Sequence, residues 1–247
     1  MLLSAVMAAL ISLPDATGDA RGDGAYVLPR VPAITEDSVD LRSFRAENAG
    51  GKLRLTVTLG ALQNPYGAPL GFSSAAVDVF IKTRVGGAQT LSGTGFQAPA
   101  GDGWQYHYRV DGWGARVWFV PDGQREPVER QVRTNVRLSG SSVVLDTTIP
   151  AGKYSYWVTS SVYSPFTRDG TLAPTLSGAD ASLHAPRAGM PSPVDVIANG
   201  EQAQAYVTHV LAPQGEVRDR RSVALLALAG VALLLGLFAS FRAWRKN

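Results

Sequence analysis

The sequence predicts an all-β protein, an antiparallel β-sandwich, followed by one hydrophobic helix at the C-terminus. Several segments alternate apolar and polar residues with a period of two, which is typical of half-buried strands. Turn signals such as Gly50-Gly51, Gly86-Gly87 and Asp122-Gly123 separate these segments. No convincing helical period precedes residue 222. The 247 residues, 26 of them glycine and 15 proline, suit one β-rich domain with short appendages.

The predicted strands follow the alternation along the chain. In Lys52–Leu59, for example, Leu53, Leu55 and Val57 share one face, and the polar residues occupy the other. The main predicted strands are 52–59, 75–82, 128–138, 143–149, 154–162 and 204–211. Residues 164–193 are rich in Ser, Pro, Gly and Ala, which predicts a long surface loop.

Composition excludes several classes of function. The absence of cysteine removes disulfides, thiolate catalysis and cysteine-based metal sites. A net charge of +3, from 23 basic and 20 acidic residues, is too small to indicate a nucleic-acid partner. The chain also lacks a G-x-S-x-G elbow, a P-loop and an H-E-x-x-H motif. These observations predict that the protein is not an enzyme.

Hydrophobic segments at both ends of the chain predict where the protein lies relative to the membrane. Residues 222–241 form an uncharged apolar run long enough to cross a membrane as a helix. It follows a predicted linker at 213–221 and precedes a basic tail at 242–247, which we expect to be cytoplasmic. Residues 1–14 are predicted to be a signal peptide, although they lack its basic region. Either the start codon is placed too far downstream or the signal is weak. The alternative for this segment is a buried first strand.

These ends predict a single-pass membrane protein of a bacterial cell envelope. Its domain at 15–212 would lie outside the cytoplasm.

An acidic, glycine-rich stretch follows the first hydrophobic segment. It contains Asp15, Asp19 and Asp23, together with Gly18, Gly22 and Gly24. Carboxylates on a flexible loop suit a hard cation such as Ca²⁺, which takes six to eight oxygen ligands. Ca²⁺ is the one cofactor that the sequence suggests, with these three aspartates as candidate ligands. A solvated linker is the alternative interpretation.

Aromatic residues concentrate between positions 104 and 119. The candidate carbohydrate-binding residues are Trp104, Tyr106, Trp113 and Trp118, together with Tyr66 earlier in the chain. Aromatic faces can pack against the C–H faces of sugar rings. On alternating strands, however, half of such rings fill the core instead. Both interpretations remain open at this point, and core packing is favoured for Trp104 and Tyr106.

Four motifs in order carry a family resemblance. They are an opening at 15–29, a D-L-x-x-F element at 40–44, a segment at 64–73 and a W-x-Y…G-W stretch at 104–113. With a loose match at 193–197, they resemble the glucodextranase C-terminal module family, the surface-layer-homology-like binding domain that is also attached to some pullulanases. The resemblance covers about residues 15–198. It departs from the family pattern at Ala16, Ala20 and Tyr66, where Pro, Asp and Trp are usual.

The resemblance implies an immunoglobulin-like, DOMON-like β-sandwich that binds carbohydrate or cell-surface polymers without catalysis. The first hypothesis is therefore a membrane-anchored module that binds cell-wall polysaccharide or an α-glucan. The second is a structural envelope protein that docks a surface-layer or other envelope protein. The third is a DOMON-like haem or redox module. It would need axial ligands such as Met190 with His107, His184 or His209.

Overall fold

The structure is a computed structural model that describes residues 9–132, 134–198, 200 and 202–216. Antiparallel strands dominate this part of the chain. The strands are β1 (Ala9–Pro14), β2 (Leu41–Ala49), β3 (Lys52–Leu59), β4 (Ala75–Lys82), β5 (Thr90–Leu91), β6 (Phe96–Gln97), β7 (Tyr106–Asp111), β8 (Gly114–Phe119), β9 (Val128–Arg130), β10 (Asn135–Ser139), β11 (Ser142–Pro150), β12 (Ser155–Val162) and β13 (Pro193–Val196). A 3₁₀ turn, Glu36–Ser38, and one short helix, α1 (Ala203–Thr208), complete the described elements.

Two sheets enclose the main core. The first has the strand order β1-β2-β3-β11-β10, and the second has the order β13-β12-β4-β7-β8-β9. Every pairing between neighbouring strands is antiparallel. Phe44 of β2 and Tyr156 of β12 meet between the sheets, with ring centroids 4.8 Å apart. The all-β antiparallel prediction is confirmed and is consistent with a sandwich. The immunoglobulin-like assignment stays a prediction.

The two sheets differ in how many of their faces are buried. In β3, buried and partly exposed residues alternate, so one face meets the core and the other meets solvent. Every residue of β12 is buried, as are all of β4 except its last. The outer face of the six-stranded sheet is therefore covered at β4 and β12, whereas β9 at its edge is exposed. Trp157 of β12 donates its Nε1–H to the carbonyl of Leu211, and Trp104 donates its Nε1–H to the carbonyl of Thr90. Both rings therefore lie against the segments around Thr90 and Leu211 that cover this face.

Two predicted strands are corrected. The alternation at 128–138 is divided between β9 in the six-stranded sheet and β10 in the five-stranded sheet, so the chain crosses between sheets within that segment. Residues 204–211, predicted as the last strand, contain most of helix α1. Within this helix, the adjacent residues Ala205 and Tyr206 are both buried and Val207 is 58% exposed. This burial pattern does not follow a two-residue period.

The first hydrophobic segment contributes a strand, which is the alternative that the sequence left open. β1 pairs with β2, and Leu13 lies opposite Phe44. The sandwich therefore extends to Ala9, beyond the predicted boundary at residue 15. At the other end, the start of the predicted linker joins the sandwich, because Gln214 exchanges two backbone hydrogen bonds with Tyr156.

The predicted membrane span at 222–241 and the tail at 242–247 lie outside the described residues. Within the described residues, no helix combines the length and apolar character needed to cross a membrane.

The role of β1 can be tested with two neighbouring aspartates. Leu13 packs against the core and Ser12 is exposed. We expect Leu13→Asp to lower the free energy of unfolding by about 1–3 kcal/mol, because it places a charge against apolar surface. Ser12→Asp should change it by less than about 0.5 kcal/mol. Urea unfolding of both variants checks this, and equal effects would contradict the assignment of β1 to the sandwich.

Candidate functional site

One end of the sandwich gathers most of the candidate residues. β4 begins there at Ala75, opposite Val162 at the end of β12, and the β7–β8 turn at 111–114 lies beside them. The ends of β1 and β3 and the start of β2 meet at the same place in the other sheet. The hydrogen bond from Leu41 N to Asp195 Oδ2, at 2.6 Å, joins the two sheets here. Loops that are distant in sequence therefore form one surface.

Four aromatic side chains form what we call the end cluster: Trp113, Tyr163, Tyr66 and Phe166. Trp113 stacks on Tyr163 with centroids 4.9 Å apart and an interplanar angle of 23°. Tyr66 meets Tyr163 edge-on at 6.0 Å and meets Phe166 edge-on at 6.4 Å. Trp113 is 47% exposed and Phe166 is 89% exposed. Trp113 and Phe166, at the two ends of this series of ring contacts, expose apolar surface suited to an interaction.

The loop that carries Tyr66 is held by the side chains of Asn64 and Ser73. Asn64 Oδ1 accepts hydrogen bonds from Ala68 N and Ser73 Oγ, both at 2.7 Å. Ser73 Oγ in turn accepts a hydrogen bond from Tyr66 N at 2.9 Å. These bonds fix the backbone at Tyr66 without using its ring, which leaves the ring free of hydrogen bonds within this loop.

The β7–β8 turn brings Trp113 against this loop. Leu70 N donates to the carbonyl of Gly112 at 3.0 Å. A Cβ atom at Gly112 would lie only 1.8 Å from the carbonyl oxygen of Phe72, so this close approach requires glycine. Asp111 Oδ1 accepts from Trp113 N at 2.9 Å and fixes the turn. The stack of Trp113 on Tyr163 therefore has a rigid support on the β7–β8 side.

Of the five residues predicted to bind carbohydrate, Trp113 and Tyr66 lie in the end cluster. Trp118 lies further along β8, half-buried, stacked on His107 at 4.7 Å. Trp104 is 0% exposed and packs against Phe80, which agrees with the core-packing interpretation favoured for it and leaves its ring no exposed face. Tyr106 is half-buried at the opposite end of β7, so it lies away from the cluster.

Sequence reasoning missed Tyr163 and Phe166. Tyr163 was the next residue after a correctly predicted strand, and Phe166 stood in a segment interpreted only as a surface loop. A large aromatic residue within an otherwise small and polar loop was the available signal.

A polar cavity of about 400 Å³ lies at the other end of the sandwich. Arg84, Gly86 and Asp102 are among its lining residues, and it offers no aromatic ring.

The acidic residues form a second cluster at the same end as the aromatic rings. Carboxylate oxygens of Asp15, Asp19 and Asp195 all lie within 4.8 Å of one another. Asp40 lies close enough for its charge to affect both Asp15 and Asp195. Asp23, the third predicted ligand, is not in this group and instead pairs with Arg187 at 3.0 Å. We call Asp15, Asp19, Asp40 and Asp195 the acidic cluster.

Burial and mutual repulsion raise the pKa of two members of this cluster. The pKa of Asp15 rises to about 7, first because of burial and then because of Asp19. The pKa of Asp195 rises to about 9, again mainly through burial and then through Asp15. Arg42 pairs with Asp40 at 2.9 Å. Buried oxygens Oδ2 of Asp15 and Oδ1 of Asp40 have no hydrogen-bond partner among the described residues, so the cluster has unused acceptors for a cation.

His107, one of the three histidines considered as haem ligands, has other contacts. His107 is buried, with Nε2 2.6 Å from Asp78 Oδ1 and its ring between Phe80 and Trp118. The structure therefore gives no support to His107 as an axial ligand.

The comparison with known families identifies the module. A sequence model for the C-terminal, SLH-like binding module of glucodextranase matches residues 10–164. The chain belongs to this family. The match begins inside β1 and includes Tyr66, Trp113 and Tyr163, whereas Phe166 and Asp195 lie beyond it. This glucodextranase module family is a binding module and not a catalytic domain, which favours a non-enzymatic protein. No curated protein matches the chain.

The raised pKa values predict how stability varies with pH. A proton binds Asp15 and Asp195 more tightly in the folded chain than in the unfolded one. Their contribution to stability is therefore fully present below about pH 4 and is lost as pH rises towards 7 for Asp15 and 9 for Asp195. In a chelating buffer we expect the melting temperature to contain a component that falls between pH 5 and pH 9.

The control for this prediction uses two asparagine variants. Asp195→Asn retains the acceptor for Leu41 N without the charge and should flatten the pH dependence. Asp180→Asn, at an exposed position, should leave it unchanged. Parallel curves for the wild-type chain and Asp195→Asn would contradict the electrostatic account of the acidic cluster.

Proposed function

We propose that this chain is a non-catalytic, extracytoplasmic module that binds a cell-envelope polysaccharide or an α-glucan through the end cluster. The hydrophobic segment at 222–241 would anchor it in the membrane. The observation that carries this proposal is the stack of Trp113 on Tyr163 beside the exposed ring of Phe166. Membership of a family of binding modules supports the non-catalytic role.

The chemistry of the end cluster suits a sugar. An aromatic face packs against the C–H groups on one side of a pyranose ring, and water leaves both surfaces. Polar groups for the sugar hydroxyls lie nearby, because Asp111 supports Trp113 and Arg116 bonds to the carbonyl of Asp169 at 2.8 Å. Trp113 and Phe166 belong to different loops and are connected through Tyr163 and Tyr66.

We further propose that the acidic cluster binds Ca²⁺. Its donors are carboxylate oxygens, which Ca²⁺ prefers, and a cation would relieve the repulsion between Asp15, Asp19 and Asp195. Bound there, Ca²⁺ supplies charge neutralisation. It would join the loop after β1 to β13 beside the start of β2, the end of the sandwich that carries the aromatic rings. Its role is structural.

The binding proposal can be tested with the full chain in detergent. The probes are insoluble cell-wall polysaccharide and insoluble α-glucan. We expect retention on one of them and about tenfold weaker binding for Trp113→Ala and for Phe166→Ala, equivalent to about 1.4 kcal/mol each. Val31→Ala, at an exposed apolar position elsewhere, is the matched control and should bind as the wild type does.

Trp104→Ala separates folding from binding. It removes a fully buried ring, so we expect it to lower the free energy of unfolding by about 3–5 kcal/mol. Its surviving folded fraction should still bind, because Trp104 is not at the surface.

No retention of the wild-type chain on any glycan would overturn the binding proposal and favour a protein that docks another envelope protein.

The cation proposal has its own measurement. Calcium at about one hundred times its dissociation constant should raise the free energy of unfolding by about 2.7 kcal/mol. It should also remove the fall in stability towards alkaline pH. Titration calorimetry with CaCl₂ on the wild-type chain and on Asp195→Asn checks this. Equal heats from the two proteins, or no heat from either, would contradict a site that includes Asp195.

A further inference from the structure

A buried ion pair lies on the outer face of the six-stranded sheet. Asp78 of β4 and Arg109 of β7 face each other directly across the two strands. Arg109 donates from Nε to Asp78 Oδ1 at 2.7 Å and from Nη2 to Oδ2 at 3.0 Å, so the pair is bidentate. His107 Nε2 lies 2.6 Å from the same Oδ1. All three side chains are buried.

Stability alone does not account for a charged pair at this position. Removing two charges from water costs several kcal/mol for each ion, and apolar side chains of similar volume are often equally stable or better. The neighbouring rings Phe80 and Trp118 show that apolar groups fit this face. What the pair provides and an apolar pair cannot is a set of fixed N–H donors.

Those donors reach a loop beside the end cluster. Arg109 Nη1 donates to the carbonyl oxygen of Asp169 at 3.1 Å. The same oxygen accepts from Arg116 Nη2 at 2.8 Å. Asp169 follows Phe166 by three residues, and bonds from Ser164 N to Gly170 O and from Gly170 N to Thr167 O close the loop on itself. The loop at 164–170 is thus compact and attached to the sheet at one carbonyl.

We propose that Asp78 and Arg109 are positioning residues for the end cluster. Asp78 holds the guanidinium of Arg109 in one orientation, and Arg109 holds the loop at 164–170. The loop in turn sets the place of Phe166 and supports Tyr163, on which Trp113 stacks. Gly170 reflects the same contact, because a Cβ there would lie 3.3 Å from Arg116 Nη2 and 3.4 Å from the ring of Tyr163. This inference rests on the proposed function for its effect on binding.

The physical consequence is preorganisation. A loop that is already ordered does not lose its conformational freedom when a ligand binds, so less of the binding free energy is spent on ordering. Lysine at position 109 would keep a positive charge beside Asp78. It would lack the planar fork that bonds both oxygens of Asp78 and the carbonyl of Asp169 together.

The experiment uses the full chain and two variants. Asp78→Leu/Arg109→Met removes both charges at once and so leaves no unpaired ion. Arg109→Lys keeps the charge and decides the outcome if the double variant does not fold. The control is Arg54→Met/Asp146→Leu, which removes an ion pair between β3 and β11 in the other sheet. Near-UV circular dichroism establishes folding.

Two readouts distinguish the inference from the proposed function. The first, hydrogen exchange at Ser164 and Gly170, needs no ligand. We expect it to become at least tenfold faster in both position-109 variants and to stay unchanged in the control. The second is affinity for the glycan that the wild-type chain retains, which we expect to fall five- to tenfold.

Unchanged exchange and unchanged affinity in a folded variant would overturn the positioning role. Faster exchange in a chain that binds no glycan, or in which Trp113→Ala binds normally, would support the loop anchor and overturn the proposed function instead. Faster amide hydrogen exchange at Ser164 and Gly170 with unchanged affinity for the glycan would overturn the proposal that Asp78 and Arg109 affect binding.

Discussion

Burial of β4 and β12 on both faces of the six-stranded sheet determines how the rest of the molecule is arranged. A sheet with one wet face can carry polar residues there without cost, whereas β4 and β12 have no wet face. A charge on the covered side is costly without partners, and Asp78 has two, Arg109 and His107. Trp104 and Trp157 serve the covering layer and satisfy their N–H groups on backbone carbonyls. Among the described residues, the most exposed aromatic rings, Trp113 and Phe166, lie in loops beyond the strand ends.

This arrangement explains why the aromatic and acidic clusters share one end of the sandwich. The end cluster depends on loops that follow β12 and precede β4, and the acidic cluster depends on loops that follow β1 and precede β2. Hydrogen bonds connect the two regions, since Ser74 Oγ donates to Ser38 O and Gly60 N donates to Asp40 O. A cation among the aspartates and a sugar on the rings would thus act on adjoining loops without sharing a ligand atom.

The sequence was sufficient for what depends on local pattern. The alternation in Lys52–Leu59 predicted β3 with the correct buried face, because one face of that strand does meet solvent. The same rule failed at 128–138, where a continuous alternation hides a crossing from one sheet to the other. It failed again at 204–211, where packing against the core selects a short helix. Periodicity describes a strand's faces but does not say which sheet the strand joins.

The candidate sites were harder to predict, because they depend on contacts between distant residues. Trp104 and Trp113 look alike in the sequence, but Trp104 packs against Phe80 and donates to the carbonyl of Thr90, whereas Trp113 stays exposed at the β7–β8 turn. Asp15 and Asp19 were identified from local composition, whereas Asp195, 176 positions after Asp19 in the sequence, comes near them through tertiary contacts: β13 pairs with β12, and Gly22 N donates to the carbonyl of Val194. Asp23 shared the local pattern and is directed instead to Arg187.

The central claim is that carbohydrate binds at the end cluster and not in the polar cavity at the other end of the sandwich. Hydrogen exchange of the full chain, with and without the retained glycan, tests this most directly. The account predicts slower exchange in the segments 64–73, 111–114 and 163–170, with no change at 84–87 or 121–125. Protection confined to the segments around the polar cavity would contradict it.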